Sequence, residues 1–422
     1  MTPLTLGRCA RADVAAAEAF DLRFNVPLML GSTLNPINSS IVATALVPIA
    51  AALGVPLGRV TLLVTVLYVA SAIAQPAMGR FGEVFGPRRT LLAGVALVAA
   101  AGTVGALATN LATLIIARVL LGVGTSAGFP SSMMLIRRRA DTTGAAAGGA
   151  LSSLVIASQV TALVGLPLGG VLVSLAGWRA TFWVNVPIAA VVLVMIWLWT
   201  PPDPPGPERT SRQLLSDLDV AGIALFGAML AATLVLSSGL HETRWAWLVV
   251  ALVSGTAFSW RELRACRPFI DLRSMFANRS LAATYARAAG GMLVAYCFMY
   301  GLTQWLQETR GLAATLTGLL IVPMSAAGAL VSAPVGKSNL VRAPLAISAI
   351  VSTGLALALR LTGQGTPLAV IVLLTTIAGI AVGLSTVGNQ AAVFDQAAAQ
   401  ETGIAAGLLR TSGTSVRSPP EA

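Results

Sequence analysis

The chain has 422 residues, of which 56% are hydrophobic and only 10% are charged, and it carries a formal net charge of +11. A mean hydropathy of +0.82 excludes a disordered chain, and it excludes a water-soluble globule because no globule of this size could bury so much apolar surface. One His and three scattered Cys residues exclude a CxxC-type metal site and a disulfide framework, and they leave little for enzyme chemistry.

Apolar runs follow one another along almost the whole chain and predict about twelve transmembrane helices. The runs lie at 24–50, 58–79, 90–108, 111–136, 144–175, 180–200, 219–239, 246–260, 280–306, 313–335, 342–361 and 367–393. A spanning helix needs about 20 apolar residues, and in lipid only helices or closed barrels satisfy every backbone hydrogen bond. The runs are long and do not alternate, so the predicted fold class is an all-α, polytopic membrane protein.

The basic residues predict which side of the membrane each break between the runs faces. With the N-terminus in the cytoplasm, most of the 27 Lys and Arg residues fall in inner segments, as the positive-inside rule requires. Residues 1–20 contain no apolar core of a signal peptide, so the first span is expected to direct insertion. The predicted location is the plasma membrane of a bacterium.

Breaks in the apolar pattern divide the chain into predicted units. The units are a cytoplasmic tail at 1–23, a six-helix bundle at 24–200, a cytoplasmic linker at 201–218, an extra helix pair at 219–262, a second cytoplasmic linker at 263–279, an incomplete four-helix bundle at 280–400 and a tail at 401–422. The tail begins like a thirteenth helix and then turns polar, so we expect that helix to be aborted.

Five motifs occur in the order in which one family carries them. They are 79–89 (GRFGEVFGPRR), 114–124 (LIIARVLLGVG), 165–187 with its GLPLGG and GWRATFWVNVP, 305–311 (WLQETRG) and 403–411 (GIAAGLLRT). The chain thereby resembles the major facilitator superfamily, and within it the fourteen-span drug:proton antiporters, with the pattern truncated after the twelfth span. The resemblance implies two helical bundles that rock around a central substrate.

The first motif implies a gate between the second and third spans. Gly79 and Gly86 allow a tight turn on the inner side, and the resemblance gives Glu83, Arg88 and Arg89 the role of a latch. Glu83 is expected to accept hydrogen bonds from a neighbouring helix N-terminus or to pair with one of the two arginines. The alternative is an ordinary positive-inside loop whose acid is solvated.

Two further features imply coupling between transport and conformational change. Arg118 lies about 10 Å into the fourth span, where a charge needs a partner or a cavity, and the resemblance gives it a part in proton coupling. The alternative is an arginine that snorkels to the outer interface. In the fifth span, Gly165, Pro167, Gly169 and Gly170 correspond to the antiporter hinge, and the alternative is a tightly packed helix face.

Polar side chains in two spans predict a substrate cavity. The candidate lining residues are Ser32, Asn35, Asn38, Ser39, Tyr300 and Gln304. Ser32, Asn35 and Ser39 share one face of the first span, and ordinary interhelical hydrogen bonding is the alternative there. The pair in the ninth span is suited to stacking and hydrogen bonding, or to anchoring at the outer interface. Asn38 stands where the antiporter branch commonly has Asp, and Asn cannot titrate.

These observations predict a secondary active transporter, a proton-linked exporter of small drug-like molecules that works by alternating access. Its expected partners are a small-molecule substrate, protons and the lipid bilayer, with no nucleic acid, cofactor or metal. The cavity, poor in carboxylates, fits a neutral or anionic substrate as well as a cationic one. Two alternatives stay open: a truncated, non-transporting protein or partial subunit, and, with little support, a membrane enzyme.

Overall fold

The computed structural model describes most of the chain and shows it to be helical. The described residues are 20–204, 218–237, 244–265, 268–270, 273, 278–302, 305–306, 310–311, 314–338, 340–396 and 405–409. Helices connected by short turns make up these segments, and none of the described residues lies in a strand. The predicted all-α fold class is therefore confirmed.

The helices follow one another in chain order with few residues between them. They are α1 Leu22–Ala43, α2 Leu46–Leu53, α3 Leu57–Val60, α4 Leu62–Phe85, α5 Pro87–Ala106, α6 Leu111–Ser126, α7 Gly128–Thr143, α8 Gly148–Ala176, α9 Ala180–Trp183, α10 Asn185–Trp199, α11 Val220–Ser237, α12 Arg244–Glu262, α13 Arg279–Tyr296, α14 Ala314–Ser338, α15 Arg342–Arg360 and α16 Leu368–Gln396. A π-helical segment, Cys297–Leu302, continues α13, and residues 405–409 are helical.

Each predicted apolar run overlaps at least one of these helices. Six stretches of the described chain are long and apolar enough to cross a membrane, namely Gly58–Phe85, Pro87–Ala106, Leu111–Thr143, Ala180–Trp199, Arg342–Arg360 and Leu368–Gln396. A seventh is added if α1 and α2, which are bent by 59° relative to each other, form one span. The total of about twelve spans and the cytoplasmic N-terminus stay predictions.

Capping residues set several helix boundaries. The side chains of Asp21, Asn110 and Asn278 each accept a hydrogen bond from a backbone N–H in the first turn of α1, α6 and α13, respectively. Gly144 with φ 67° and Gly177 with φ 75° follow the last residues of α7 and α8. Left-handed backbone of this kind ends a helix at little cost only in glycine.

The apolar side chains pack in groups that follow the chain order. The largest group joins α1 to the helices up to α10 and includes Leu28 and Phe182. A second group lies around α13 to α16 and includes Phe298 and Ile371. A third group, around Phe226, attaches α11 and α12 to α4. The division of the chain into the predicted units, with their limits, stays a prediction.

Glycines allow neighbouring helices to approach backbone to backbone. A Cβ atom on Gly94 of α5 would lie 2.7 Å from the carbonyl oxygen of Gly124 on α6, and the reverse distance is also 2.7 Å. In α16, a Cβ atom on Gly383 would lie 2.6 Å from the carbonyl oxygen of Gly328 on α14. Lipid gives helices no hydrophobic reason to associate, so close packing of small residues must hold them together.

Candidate functional site

The polar residues predicted on the first span lie at the contacts of α1 with other helices. The amide of Asn35 donates to Ser71 Oγ on α4 and to Thr125 Oγ1 on α6, both at 3.0 Å. The amide of Asn38 donates to Asn185 Oδ1 on α10 at 2.7 Å. A network of neutral hydrogen-bonding groups therefore joins α1, α4, α6 and α10.

The two serines predicted to share this face make local hydrogen bonds. Ser32 donates to the carbonyl oxygen of Met29 at 2.8 Å, and Ser39 donates to that of Asn35 at 3.1 Å. Ser32 is buried, with 3% of its surface exposed, whereas Ser39 is partly exposed. Of the predicted set on α1, Asn35 and Asn38 are thus the residues that bridge helices.

Arg118 lies in the same part of the molecule and is 1% exposed. Its Nε donates to the carbonyl oxygen of Leu63 on α4 at 3.1 Å, and its Nη1 donates to that of Asn38 on α1 at 3.4 Å. Its guanidinium carbon lies 6.0 Å from the centre of the Phe182 ring. A buried position excludes the snorkelling alternative, because a snorkelling arginine keeps its charged head in water.

The guanidinium of Arg118 contacts carbonyl dipoles and an aromatic face, which offset its charge only in part. No described carboxylate pairs with it, and its Nη2 is buried without a hydrogen-bond partner among the described residues. Carbonyl oxygens and a ring face attract a guanidinium, yet they carry no full negative charge. The site thus retains an uncompensated positive charge and one unused donor.

The glycines of the predicted hinge lie where α8 crosses α1. A Cβ atom on Gly165 would lie 2.6 Å from Ser40 Cβ, and one on Gly169 would lie 2.7 Å from the carbonyl oxygen of Ile41. Gly170 has nothing within 4 Å of the same position, and the side chain of Pro167 lies outside the described part. The geometry supplies a reason for tight packing at two of these four positions.

The turn that carries the predicted latch residues is organised around an acid that the sequence analysis missed. Asp203, which follows α10, accepts from the backbone N–H groups of Arg88 at 3.3 Å and Arg89 at 2.9 Å. It also pairs with Arg138 of α7 at 2.9 Å, and its side chain is only 2% exposed. A carboxylate at a helix N-terminus is stabilised by the free N–H groups and the helix dipole.

The turn between α4 and α5 is shaped to receive this carboxylate. Gly86 has φ 99°, and a Cβ atom at this position would collide with the carboxyl group of Asp203. Pro87 then starts α5, as its fixed φ favours. The signal available in the sequence was the lone acid in the proline-rich break at 201–205, directly after a span.

Glu83 is paired with an arginine of its own helix, and its predicted part in a latch stays a prediction. It forms an ion pair with Arg80, one turn earlier on α4, at 3.3 Å. The described pairing of Glu83 is thus with Arg80, whereas the guanidinium of Arg88 donates to the carbonyl oxygen of Trp197 at 2.7 Å. Gly79 is buried within α4 rather than in a turn.

One end of the molecule carries residues 80–89 and 137–139, and we call it the arginine-rich end. Several contacts at this end join the earlier helices to the later ones. The guanidinium of Arg137 donates to the carbonyl oxygen of Phe394 and lies 5.1 Å from the centre of its ring. A Cβ atom on Gly407 would lie 2.5 Å from the carbonyl oxygen of Gln75 on α4. These contacts close the arginine-rich end between α4, α7 and α16.

The predicted residues of the ninth span are only partly described. Tyr300 lies in the π-helical segment Cys297–Leu302, but its side chain is outside the described part. Gln304 lies outside the described residues altogether. Their membership of a cavity stays a prediction, as do the roles of all the other candidate residues.

Comparison with known proteins gives matches along nearly the whole chain. A model described as Major Facilitator Superfamily matches residues 28–418. The uncharacterized MFS-type transporter YwoD of Bacillus subtilis is 32% identical over 396 residues, which make up 90% of this chain and 84% of that relative. The tetracenomycin C resistance and export protein of Streptomyces glaucescens is 26% identical over 400 residues, which make up 90% and 71%, respectively.

Other matches are shorter or concern the fold alone. Several further relatives match over regions that make up about half of their own length. The crystal structure of the human organic anion transporter MFSD10 (TETRAN) has a TM-score of 0.66 and 16% sequence identity, and the match covers 94% of this chain and 91% of that one. At that identity the likeness establishes a shared fold.

Asp203→Asn is expected to destabilise the arginine-rich end. The amide keeps one acceptor but places an NH₂ group against backbone N–H donors and Arg138, so we expect a loss of roughly 1–3 kcal/mol. The midpoint of thermal unfolding of the purified protein in detergent measures this change. Asp141→Asn, at an exposed acid on α7, is the matched control and should leave the midpoint unchanged. Equal midpoints for Asp203→Asn and the wild type would contradict the assignment.

Gly169→Ala and Gly170→Ala separate packing from hinge flexibility at adjacent positions. The first should force α1 and α8 apart and cost about 1–3 kcal/mol, because its Cβ atom meets backbone, whereas the second should be neutral. Thermal unfolding in detergent, run on both variants, provides the comparison. A similar loss for both would point to a need for glycine flexibility and against the packing explanation.

Proposed function

Because the chain belongs to the major facilitator superfamily, we propose that it exports small molecules from a bacterial cell by alternating access. The family match confirms the resemblance to the major facilitator superfamily that was drawn from the motifs. It makes the chain a membrane transporter rather than an enzyme. Export, its driving force and the substrate class are the proposed part. The relative from Streptomyces glaucescens, whose name describes resistance and export, supports the outward direction.

The observation that carries the proposal is the buried network around Arg118. Neutral side chains of α1, α4, α6 and α10 converge there, and Arg118 has an unused donor and no described carboxylate partner. A buried polar network that holds an uncompensated charge is costly in lipid, which favours a functional role over a purely structural one. We place the substrate beside Asn35, Asn38 and Arg118, with Tyr300 and Gln304 as further proposed lining residues.

The charge of the same network indicates which charge the substrate carries. A cationic ligand would meet the positive charge of Arg118, which no carboxylate of the described residues offsets, so the proposed substrates are neutral or anionic. Asn38 and its partner Asn185 do not titrate, so a proton that drives export must bind elsewhere in the chain.

The contacts at the arginine-rich end support alternating access. If this end faces the cytoplasm, as the distribution of basic residues predicts, then the contacts of Arg137 with Phe394 and of Gly407 with Gln75 close the cytoplasmic side. Substrate release to the outside would occur from this state. Loading would require these contacts to separate while Asp203 and its partners move with the first helices.

Export is tested by accumulation of a panel of neutral, anionic and cationic compounds in an efflux-deficient bacterial host. At least one neutral or anionic compound should reach a lower level in cells that express the wild type than in cells that lack the protein. Arg118→Ala should abolish the difference at unchanged membrane expression, whereas Arg59→Ala, at an exposed arginine, should preserve it. Equal accumulation across the panel would contradict export, and export by Arg118→Ala would remove Arg118 from the site.

Coupling to the proton gradient is a separate expectation. A protonophore should abolish export by the wild type, because alternating access otherwise only equilibrates the substrate across the membrane. The measurement is substrate accumulation before and after the protonophore is added, with ATP held constant. Undiminished export after collapse of the gradient would show that protons do not drive the cycle.

A further inference from the structure

A buried pair of carboxyl groups lies where α11 begins and α12 ends. Asp219, directly before α11, has a side chain that is 2% exposed and a backbone φ of 45°. Its Oδ1 accepts from Gly222 N at 3.1 Å and from Arg261 Nε at 2.9 Å and Nη2 at 2.6 Å. Its Oδ2 accepts from the backbone N–H of Phe269 at 3.3 Å. Asp219 thus connects the start of α11 to α12 and to the segment 268–270.

Glu262, the last residue of α12, completes the pair and is fully buried. Its Oε2 accepts from the backbone N–H of Ile270 at 3.1 Å, but its Oε1 accepts no hydrogen bond from the described residues. A Cβ atom on Gly222 would touch this Oε1 and would lie 2.6 Å from Asp219 Oδ2. Because both oxygens lie this close to one point, the unused oxygen of Glu262 lies near the carboxylate of Asp219.

Among the described residues, the charged groups around the two acids have the following contacts. Arg261 is the cation that acts on Glu262, while Arg264 lies on the ring of Trp260 at 4.5 Å. Arg273 donates to the carbonyl oxygen of Leu263. On α4, the element packed against this region, the charged groups are Arg80 and Glu83, which pair with each other. Two buried carboxylates repel each other, and Arg261 is the one cation that the described part of the chain places on both; a proton held between the carboxylates removes the repulsion.

Burial raises the pKa of Glu262 to about 7; the hydrogen bond from Ile270 opposes the shift, and the charge of Asp219 adds to it. Glu262 lies beyond the apolar run 246–260, near the arginine-rich end. If Glu262 is protonated at Oε1, it can donate to Asp219 Oδ2. This bond would give Oε1 the partner that it otherwise lacks.

The backbone that these acids hold carries two apolar side chains into a junction of three helices. Phe269 and Ile270 are buried against Phe226 of α11, Phe258 of α12 and Ala77 of α4. The ring centres of Phe226 and Phe269 are 5.8 Å apart. This junction lies on the half of α4 that leads into the turn at Gly86.

We propose that Asp219 and Glu262 form a proton-binding site that fastens residues 268–270 onto α11, α12 and α4. With the proton bound, the two carboxyl groups share it, and both backbone N–H groups of Phe269 and Ile270 stay paired. Without it, two negative charges oppose each other in a buried place, and the segment releases. The site thereby makes the attachment of α11 and α12 to α4 dependent on pH. This proposal does not rest on the proposed function.

The direction of the pH effect follows from the raised pKa. The fastened state binds the proton more tightly than the released state, whose Glu262 titrates near 4.5. Residues 268–270 are therefore held most strongly below pH 4.5, and the attachment weakens as the pH rises to about 7. Across this window the equilibrium changes by at most about tenfold per pH unit.

Hydrogen exchange measured by mass spectrometry tests the proposal on the full chain in lipid nanodiscs. After correction for the intrinsic exchange rate, the amides of Phe269 and Ile270 in the wild type should lose protection as the pH rises toward 7. Glu262→Gln, which cannot lose a proton, should keep them protected at every pH. Asp141→Asn, at an exposed acid, should behave as the wild type does. A pH response retained by Glu262→Gln, or none in the wild type, would overturn the proposal.

A second measurement needs no variant. Infrared spectroscopy of the wild type should show a protonated carboxylic acid whose C=O band disappears with a midpoint near pH 7. If every carboxyl group in the chain is already ionised well below that pH, the shared proton does not exist and the proposal fails.

Discussion

The absence of water inside a membrane is the constraint on which this structure depends. Each buried charge must find its partners within the protein, because lipid offers no hydrogen bonds. Arg118 meets the constraint with carbonyl oxygens from α1 and α4 and with the ring of Phe182 on α9. One side chain thus fixes the relative positions of several helices, and the neutral hydrogen bonds of Asn35 and Asn38 join the same helices nearby.

The buried acids near the arginine-rich end carry negative charge, and they too find their partners within the protein. Asp203 accepts from two backbone N–H groups at the start of α5, and Asp219 accepts from one in the first turn of α11. Each also pairs with an arginine from another helix. Helix N-termini supply donors that no helical bond uses, so they are the natural place for a buried carboxylate. In both cases the acid joins a helix end to a segment distant in sequence.

Close approach of backbones makes these bonds possible. Glycines bring α5 to α6, α8 to α1 and α14 to α16, which lets polar groups on neighbouring helices reach one another. Gly86 and Gly222 have a more specific part, because each leaves room for a carboxyl group that a Cβ atom would displace. Glycine content in this chain therefore serves the placement of charges as well as the packing of helices.

Long apolar runs were sufficient to predict where the helices lie. A helix overlaps every predicted run, and the structure places Asn110, Gly144 and Gly177 at helix boundaries, where capping chemistry favours them. The family was predicted from motif order, since the motifs at 79–89 and 114–124 are local in sequence. A deep position for Arg118 likewise followed from its distance along the fourth span.

The partners of the charged residues were decided by the tertiary structure alone. Glu83 was the expected latch acid, yet Asp203 receives the N-terminus of α5, because only the packing of α10 against α5 brings residues more than a hundred positions apart together. Likewise Gly169 contacts α1 and Gly170 does not, although both are glycines in one helix. The sequence determines which residues must be buried in lipid. The direction in which each side chain points, and therefore its partner, depends on how the helices rotate and cross.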